Sequence, residues 1–331
     1  MATIREVASL ADVSPATVSR VMNGMSGFST ETRDRVRQAV EQLGYQPDHL
    51  ARGLRTANAQ LLGVLAPKVS SAFAFEVMEG VEAVARDHGY AVMLGRTGFG
   101  SLYSCEYLRT MRAYRAVGVV LISAVITDEF RHHLGPNRPL VSVAISDRSG
   151  TPSIAIDDEQ AGHDAVAHLL SLGHRSLGII AGDPSSINVG APRLAGAVRA
   201  AREAGIEPVV VHGDFFYESG ARAIEPLLAA SHPVTAIFAV SDEMAVGAIN
   251  ELQRRGYEVP RDISVVGFDD TSAARQVHPQ LTTVAQPLRA MGELAATRLL
   301  RSRDLTSSVM PHRLVVRASA APPSACKAPL V

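Results

Sequence analysis

From Leu61 onward, the chain alternates short, continuous apolar runs with amphipathic stretches of helical spacing. Strands that are apolar on both faces and alternate with helices are typical of parallel sheets covered by helices. Roughly 270 residues of this pattern are too many for one compact sheet, so we expect two α/β lobes. The predicted strands are Leu61–Ala66, Val117–Ile122, Leu140–Ile145, Ser153–Ile156, Leu177–Ala181, Val209–Val211, Ala236–Val240 and Ile263–Phe268.

The first 46 residues have a different pattern, because their apolar residues recur only at helical spacing. Thr3 is placed to cap a first helix, and Ser14-Pro15 starts a second with proline at its first helical position. Ser29 opens a third helix, which Gly44 ends. Two short helices, a tight turn and a third helix fit an all-α helix-turn-helix domain.

The start of the second helix supplies the candidate DNA contacts, since this helix of the motif enters the major groove. Arg20 is long enough to form two bonds to guanine, whereas Pro15 and Ala16 offer only apolar contact. The short polar side chains suit phosphate oxygens. The predicted contacts in this domain are Thr3, Ser14, Pro15, Ala16, Thr17, Ser19, Arg20 and Asn23.

Charge and composition narrow the classes of protein. The net charge of −1 excludes a polycation that coats nucleic acid by charge alone. The two cysteines, Cys105 and Cys326, lie far apart, which argues against a disulfide scaffold or a cysteine-based zinc site. A basic leader followed by an apolar core is absent at the N-terminus, and so is an apolar run of about 18 residues. We therefore expect a cytoplasmic protein without metal or cofactor.

Motifs for catalysis are missing. The chain contains no GxSxG elbow, and the stretch from Gly95 to Gly100 is neither GxGxxG nor a phosphate-binding loop. His132 and His133 are adjacent rather than four apart, and His163 and His168 do not share one helical face. We predict that the protein is not an enzyme.

Polar residues follow the predicted strands at their carboxyl ends, where open α/β sheets bind ligands. Carboxylates accept bonds from sugar hydroxyls, arginine and glutamine donate to oxygens, and phenylalanine rings stack on apolar sugar faces. The candidate ligand contacts are Phe73, Phe75, Asp147, Arg193, Phe215, Ser241, Asp269 and Gln286. Other roles stay open at this point, because Asp269 or Asp242 could cap a helix and Arg193 could form a surface ion pair.

The order of the residues narrows the class of protein further. The run TIREVASLADVSPATVSRVMNG, followed by STETRDRV, LGYQPD and ARGLRT, closely resembles the lactose-repressor (LacI/GalR) family of bacterial transcription factors. The resemblance continues through HLLSLGHRSLGIIAG, TAIFAVSDEMAVGAI and VPRDISVVGFDD, and it covers nearly the whole chain. It implies a homodimeric, sequence-specific DNA-binding regulator, expected to be a repressor, that reads a pseudo-palindromic operator. A small molecule between two periplasmic-binding-protein-like lobes is expected to control operator affinity allosterically.

The resemblance assigns a role to the segment after the helix-turn-helix. Members of the family form a hinge helix there, and paired hinge helices insert a leucine into the minor groove. Leu54 occupies the matching position, and Arg52 and Arg55 are then expected beside phosphates. Asp48 stands where the family usually has asparagine, so we expect Asp48→Asn to tighten operator binding.

For the ligand site, the resemblance supports the prediction of ligand contacts at Asp147, Arg193, Asp269 and Gln286, whose positions match effector contacts in the family. It supports a contact at Ser241 less, because the family usually has asparagine at that position. The stretch from Ser71 to Ala74 departs from the family's Asn-Pro-Phe-Phe. A carbohydrate is the first ligand class expected and a purine or nucleoside the second.

The expected domains are a helix-turn-helix domain over 1–46, a hinge over 47–57, a two-lobed effector and dimerisation domain over 58–317, and a disordered tail over 318–331. Two other functions remain open. A corepressor-dependent repressor or an activator has the same sequence pattern. A solute-binding protein shares the two lobes, although residues 1–57 argue against it.

Overall fold

The computed structural model describes residues 2–22, 24–45, 60–97, 101–124, 126–135, 138–145, 150–184, 190–302 and 305–324, without the side chains of 101–104. Two compact units make up the chain, Met1–Ala59 and Gln60–Val331. The larger unit contains two six-stranded sheets.

The described residues of the small unit form three helices: α1 (Ile4–Leu10), α2 (Pro15–Met22) and α3 (Thr30–Leu43). Ser29 caps α3 through a bond from the Thr32 amide, and α3 ends where Gly44 adopts a left-handed φ of 57°. The three helices share one small apolar core. Its buried members are Val7, Ala8, Ala11, Val18, Val21, Val36 and Ala39.

The first lobe of the large unit is built on a wholly parallel sheet. Its strands are β1 (Leu61–Ala66), β2 (Ala91–Arg96), β3 (Val119–Ile122), β4 (Leu140–Val143), β5 (Ser153–Ile156) and β11 (Ser308–Met310), in the spatial order β2-β1-β3-β4-β5-β11. The helices of this lobe are α4 (Ala72–Asp87), α5 (Ser101–Ala113), α6 (Asp128–Leu134) and α12 (Leu288–Thr297), and α12 runs into a π-helical turn over Arg298–Ser302.

The second lobe repeats this architecture. Its strands are β6 (Leu177–Ala181), β7 (Val209–His212), β8 (Ala236–Ala239), β9 (Ser264–Asp269), β10 (Thr282–Ala285) and β12 (Arg313–Val315), in the order β7-β6-β8-β9-β10-β12. Only β12 pairs antiparallel within this sheet. The helices of this lobe are α7 (Asp158–Ser171), α8 (Gly190–Glu203), α9 (Tyr217–Leu228), α10 (Asp242–Arg254) and α11 (Ser272–Gln276).

The chain passes between the lobes three times. It leaves the first sheet after β5, returns after β10 to form α12 and β11, and ends in the second sheet with β12. Both lobes are therefore assembled from separate stretches of sequence.

The prediction of two α/β lobes with parallel sheets is confirmed, and each predicted strand is present with its ends shifted by two residues or fewer. Four strands were not predicted. β2 is an edge strand with Leu94 41% exposed, so its sequence lacks a continuous buried run. β10 begins with two threonines, which are polar in sequence but buried in the fold, where both side chains have hydrogen-bond partners. β11 and β12 span only three residues each.

The predicted disorder from residue 318 was wrong for residues 318–324. Ser319 is fully buried, and its Oγ accepts from the Thr282 amide at 2.8 Å. The Ala321 carbonyl lies 2.9 Å from Nε2 of His174. Small alanine and serine side chains allow this segment to lie close to the edge of the second sheet, so a composition poor in large apolar residues does not imply disorder here. Residues 325–331 lie outside the described residues.

Paired glycines bring three pairs of helices into direct backbone contact. In the pair α7–α8, a Cβ on Gly162 would lie 2.1 Å from the Arg193 carbonyl oxygen, and one on Gly196 would lie 1.8 Å from that of Glu159. The same reciprocal contact joins α4 to α12 and α9 to α10. These crossings fix the distance between neighbouring helices, because any side chain would force them apart. The glycines involved are Gly80 with Gly292, Gly162 with Gly196, and Gly220 with Gly247.

Candidate DNA-reading surface and effector cleft

The first turn of α2 presents the predicted DNA contacts on the surface of the small unit. Ser14 caps the helix, since its Oγ accepts from the Thr17 amide at 3.1 Å and lies 2.9 Å from Oγ1 of Thr17. Pro15, Ala16 and Arg20 are exposed, whereas Thr17 is half-buried. The cap fixes where α2 begins and therefore which residues stand at its exposed end.

The other predicted contacts of this unit have mixed surroundings. Thr3 forms a capping box with Glu6, which stabilises the N-terminus of α1. Ser19 is half-buried on α2. Asn23, Arg52, Leu54 and Arg55 lie outside the described residues, as does Asp48, and the predictions made for them stay predictions.

Arg20 has a contact that the sequence did not reveal. Its guanidinium carbon lies 4.9 Å from the centroid of the Phe28 ring, which follows α2 in the chain. A cation held over an aromatic face loses part of its side-chain freedom before it binds anything. Phe28 thus positions the one long basic side chain of α2.

Arg193 is the centre of the predicted effector site, and it is buried rather than a surface residue. It is 2% exposed. Its Nε donates to Asp158 at 2.8 Å, and its Nη1 donates to the Val240 carbonyl at 2.8 Å and to Asp269 at 3.3 Å. Its guanidinium stacks over Phe268 at 3.7 Å. The alternative of a surface ion pair is therefore wrong.

Gln286 completes this cluster from the segment after β10. Its Nε2 donates to Oδ1 of Asp269 at 2.6 Å. Its Oε1 is buried and has no hydrogen-bond partner among the residues that the structure describes. Buried polar atoms nearly always have a partner, so an acceptor without one marks this position as unusual. Arg193, Asp269 and Gln286 are thus brought together as the sequence predicted.

The backbone around Asp269 is strained. Asp269 has a φ of 117° and Asp270 a φ of 57°, which are unusual values for residues with side chains. The surrounding bonds hold this conformation, since Asp269 contacts Arg193 and Gln286 while Asp270 contacts Arg317 at 2.5 Å. Backbone strain of this kind is concentrated at ligand-binding sites.

Two buried carboxyl groups share the single charge of Arg193. Burial raises the pKa of Asp158 and of Asp269, and the guanidinium of Arg193 opposes the shift at both. The three side chains are each less than a tenth exposed, so little water reaches the cluster. A hydrogen bond made in such surroundings is stronger than one made in water, because the local dielectric is low.

Asp242 and Ser241 stabilise the neighbouring loops. Oδ2 of Asp242 accepts from the amide of Thr271 at 2.7 Å, and Oδ1 accepts from the hydroxyl of Thr283 at 2.6 Å. Burial raises the pKa of Asp242 to about 7. The cap of α10 is Ser241, whose Oγ donates to the Phe215 carbonyl at 3.0 Å and accepts from Met244 at 3.2 Å. The hydroxyl hydrogen of Ser241 is thus already donated to Phe215, so toward a ligand the hydroxyl could act only as an acceptor.

The three candidate phenylalanines have different positions. The Phe215 ring packs against Gly182 and Gly190, where a Cβ would lie within 2.8 Å of the ring. Phe73 is half-buried against the core of the first lobe, and Phe75 is 54% exposed on α4. Asp147 lies outside the described residues. Phe215 is therefore the aromatic that lies beside the start of α8, the helix that carries Arg193.

Contacts between the lobes were missed by sequence reasoning. Oε1 of Glu243 accepts from the Ala72 amide at 3.3 Å, and Oε1 of Glu76 accepts from the Ser272 amide at 3.1 Å. Burial raises the pKa of both glutamates. No sequence signal marks these pairs, because one partner in each is a backbone amide. We call them the bridging glutamates.

Lys68 and Arg275 add charge to the same bridge. Nζ of Lys68 lies 3.9 Å from the centroid of the Phe216 ring, across the two lobes. Nη2 of Arg275 lies 3.8 Å from Oε1 of Glu76. Both lobes are thus joined by contacts at the start of α4.

A helix-turn-helix unit followed by a two-lobed α/β unit with a buried polar cluster defines a DNA-binding transcriptional regulator with a ligand-sensing domain. Residues 3–48 match the lacI family of bacterial regulatory proteins, and residues 166–320 match the periplasmic binding protein-like domain. Catabolite control protein A of Priestia megaterium is 35% identical over 327 residues, which cover 96% of this chain and 98% of that protein. The chain belongs to the LacI family.

Solved structures give the same result. The Lac repressor dimer bound to operator and the anti-inducer ONPF matches with a TM-score of 0.86 at 28% identity, covering 97% of this chain and 99% of that one. The complex of the transcriptional regulator CelR with cellobiose matches with a TM-score of 0.72 at 29% identity, covering 97% and 100%. Among the described residues, no helix is long and apolar enough to cross a membrane.

Proposed function

We propose that this protein is a cytoplasmic, homodimeric repressor whose affinity for a pseudo-palindromic operator is controlled by a small carbohydrate bound between the two lobes. The observation that carries the ligand site is the buried cluster of Arg193, Asp269 and Gln286, in which an acceptor on Gln286 has no hydrogen-bond partner in the described part of the chain. We assign it no catalytic step.

The DNA-binding side of the proposal rests on α2. Its capped first turn carries exposed Pro15 and Ala16, and Arg20 is positioned by Phe28. One such helix per protomer reads one half-site, which explains why a dimer would require a pseudo-palindrome. The Lac repressor, a relative of similar fold, was solved as a dimer on its operator. Leu54, Arg52 and Arg55 of the hinge are proposed to enter or flank the minor groove.

Carbohydrate is the proposed ligand class because the cluster combines acceptors, donors and an apolar ring. Asp269 accepts from sugar hydroxyls, Arg193 and Gln286 bond ring or hydroxyl oxygens, and Phe215 offers a flat apolar surface. CelR, which has the same fold, was solved with cellobiose. We include Asp147, Phe73, Phe75 and Ser241 as further proposed contacts.

Coupling between the two sites requires that the ligand bind two arrangements of the lobes unequally, since only differential affinity shifts an equilibrium. The bridging glutamates belong to the arrangement in which the lobes contact each other. A ligand that fits the cleft better in this arrangement than in an opened one would change the dimer geometry and thereby the hinge. We propose this change as the step that releases the operator.

The test begins with the purified protein and sheared genomic DNA from its own source. The retained fragments are sequenced, and the enriched site is labelled for affinity measurements by fluorescence anisotropy. We expect a pseudo-palindrome whose affinity falls when one member of a panel of mono- and disaccharides is added. A purine or nucleoside that tightens binding instead would show a corepressor and reject the carbohydrate.

Variants connect the response to the cleft. Asp269→Asn and Gln286→Ala are expected to keep operator binding and lose the response to the active sugar. Arg199→Ala on the same helix as Arg193 is the matched control, because Arg199 is exposed and should leave both properties intact. A full response in both cleft variants would overturn the proposed site. An operator that no compound affects would overturn the proposed coupling.

A further inference from the structure

Two helices of the first lobe bring together three metal-ligand side chains that play no part in the effector cluster. Cys105 lies on α5, and Glu129 and His133 lie four residues apart on α6. The two helices pack over a shared apolar cluster that includes Leu108 and Phe130. Residues four apart on a helix face the same side, so Glu129 and His133 both face Cys105.

The distances suit one ion. The thiol sulfur, a carboxylate oxygen and a ring nitrogen all lie within 4.8 Å of one another, and Nε2 of His133 lies 4.0 Å from Oε1 of Glu129. In a tetrahedral zinc site, with bonds of about 2.0–2.3 Å, ligand atoms are roughly 3.5 Å apart. The side chain of Glu129 is 53% exposed, and its free rotation can supply the remaining approach.

The donor set is chemically selective. Sulfur, imidazole nitrogen and carboxylate oxygen together are ligands that Zn²⁺ accepts, whereas Mg²⁺ and Ca²⁺ prefer oxygen alone. A thiolate and a carboxylate balance the two charges of the ion, and the thiol proton leaves to solvent on binding. Cys105 is 4% exposed and Glu129 is open to solvent, so the ion would enter from the Glu129 side.

We propose that Cys105, Glu129 and His133 form a site for one zinc ion per chain, with the fourth position open to water. The ion would fasten α5 to α6 across the face where the two helices meet. Sequence spacing did not reveal the site, because the cysteine and the Glu–His pair come from different helices.

Arg109 affects the tautomer of the His133 ring. Its Nε lies 3.5 Å from Nδ1 of His133, and it stands one turn after Cys105 on α5. A bond from Arg109 to Nδ1 leaves the ring proton on Nε2, the nitrogen that faces Glu129. Zinc at Nε2 moves that proton to Nδ1, and the exposed Arg109 must then turn to solvent. Arg109→Ala is therefore expected to raise zinc affinity.

If these residues do not bind a metal ion, the opposite results are expected. Glu129 and His133 would be a surface pair of little energy, and Cys105 a small apolar core residue. In that case no substitution among the three changes the affinity for zinc.

The experiment uses the full-length chain without a tag and the metals alone. Zn²⁺ binding is measured by competition with a chromophoric chelator, and Co²⁺ is used as a spectroscopic probe. We expect one Co²⁺ per chain with a thiolate-to-cobalt charge-transfer band in the near ultraviolet. His133→Ala and Cys105→Ser should abolish the band, and Glu129→Gln should weaken Zn²⁺ binding on the order of tenfold or more.

Two matched controls isolate the site. Cys326→Ser removes the other thiol of the chain, and His132→Ala removes the adjacent exposed imidazole on α6. Both should keep the band and the affinity. A missing band in the parent protein, or a band removed by Cys326→Ser, overturns the proposal. If Cys105→Ser fails to fold, unchanged Zn²⁺ affinity in His133→Ala, Glu129→Gln and Arg109→Ala overturns it equally.

Discussion

At the scale of single residues, Asp242 is a fully buried carboxyl group that hydrogen bonds hold in place. Two of those bonds come from Thr271 and one from Thr283. Burial raises the pKa of Asp242 to about 7, above its ordinary value of 3.8. Its folded form therefore holds a proton that the unfolded chain releases at lower pH, and this contribution to stability is lost as pH rises from about 4 to about 7.

Asp242→Asn tests this linkage. Asparagine is isosteric, accepts from the Thr271 amide and cannot ionise. The stability of the variant protein relative to the parent should therefore improve as pH rises from about 4 to about 7. The measurement is the free energy of unfolding in urea for both proteins at several pH values. A difference that does not change with pH would contradict the raised pKa.

Asp164→Asn provides the comparison of opposite sign. Burial raises the pKa of Asp164, but hydrogen bonds from His312 and Gln160 outweigh it and lower the pKa overall. The stabilisation from this ionised group is present above its ordinary pKa and is lost as pH falls. Removing it should therefore cost most near neutral pH and least in acid.

Arg20 is the residue on which sequence reading by α2 should depend most. Arg20→Ala is expected to lower affinity for the selected operator by about 1–3 kcal/mol while affecting random DNA far less, because guanine contacts specify and charge alone does not. Arg37→Ala, an exposed arginine on α3, removes the same charge. Anisotropy titrations on both DNAs distinguish the two. Equal losses on operator and random DNA in both variants would exclude a base-reading role for Arg20.

The polar cluster was predictable because the ends of parallel strands meet at one edge of a sheet. Asp269 ends β9, Gln286 follows the neighbouring β10, and Arg193 lies on α8, the helix after β6. The bonds that Asp242 accepts from Thr271 and Thr283 were not predictable, since they depend on how two loops fold back. The bridging glutamates were hidden for a similar reason, because any backbone amide could have been their partner.

At the scale of elements, the glycine crossings determine where α8 holds Arg193. Gly162 on α7 contacts the backbone of Arg193 itself, and Gly196 contacts α7 one turn away. The helix pairs would otherwise separate by the thickness of a side chain. Alternating strands and helices predicted α7 and α8, but the paired glycines could not be recognised until the two helices were seen to cross.

Gly162→Ala should therefore impair both stability and sensing. We expect a loss of about 1–3 kcal/mol from overpacking, together with weaker effector binding as Arg193 shifts. Gly247→Ala overpacks the α9–α10 pair against Tyr217 and should lose stability with less effect on the effector. Ala195→Ser adds one atom on the exposed face of α8 and serves as the control. Urea unfolding and effector titration measure both properties; a Gly162→Ala protein as stable as the parent would contradict the close crossing.

At the scale of the whole two-lobed unit, the bridging glutamates connect the first turns of α4 with the first turns of α10 and α11. Each replaces a hydrogen bond to water with one to an amide of the opposite lobe. Such bonds are modest individually, so breaking both of them would cost little free energy. This balance suits a protein whose ligand must shift an equilibrium rather than form a permanent contact.

Hydrogen exchange can measure that balance. Glu243→Ala should speed amide exchange around Ala72, and Glu76→Ala should speed it around Ser272, because each amide loses its acceptor. Glu79→Ala removes an exposed glutamate from the same helix and should change neither region. Mass spectrometry of the full-length protein resolves the two peptides. Unchanged exchange in both bridging variants would mean that the lobes do not rely on these bonds.

The three passages of the chain between the lobes have a consequence for synthesis. The apolar face of α4, including Val77 and Val81, is covered by α12, which leaves the ribosome only after the entire second sheet except β12 has been made. The nascent first lobe must wait with that face uncovered, a condition in which newly made chains attract chaperones or aggregate. The second lobe can bury its own core earlier, so the half made last is expected to mature first.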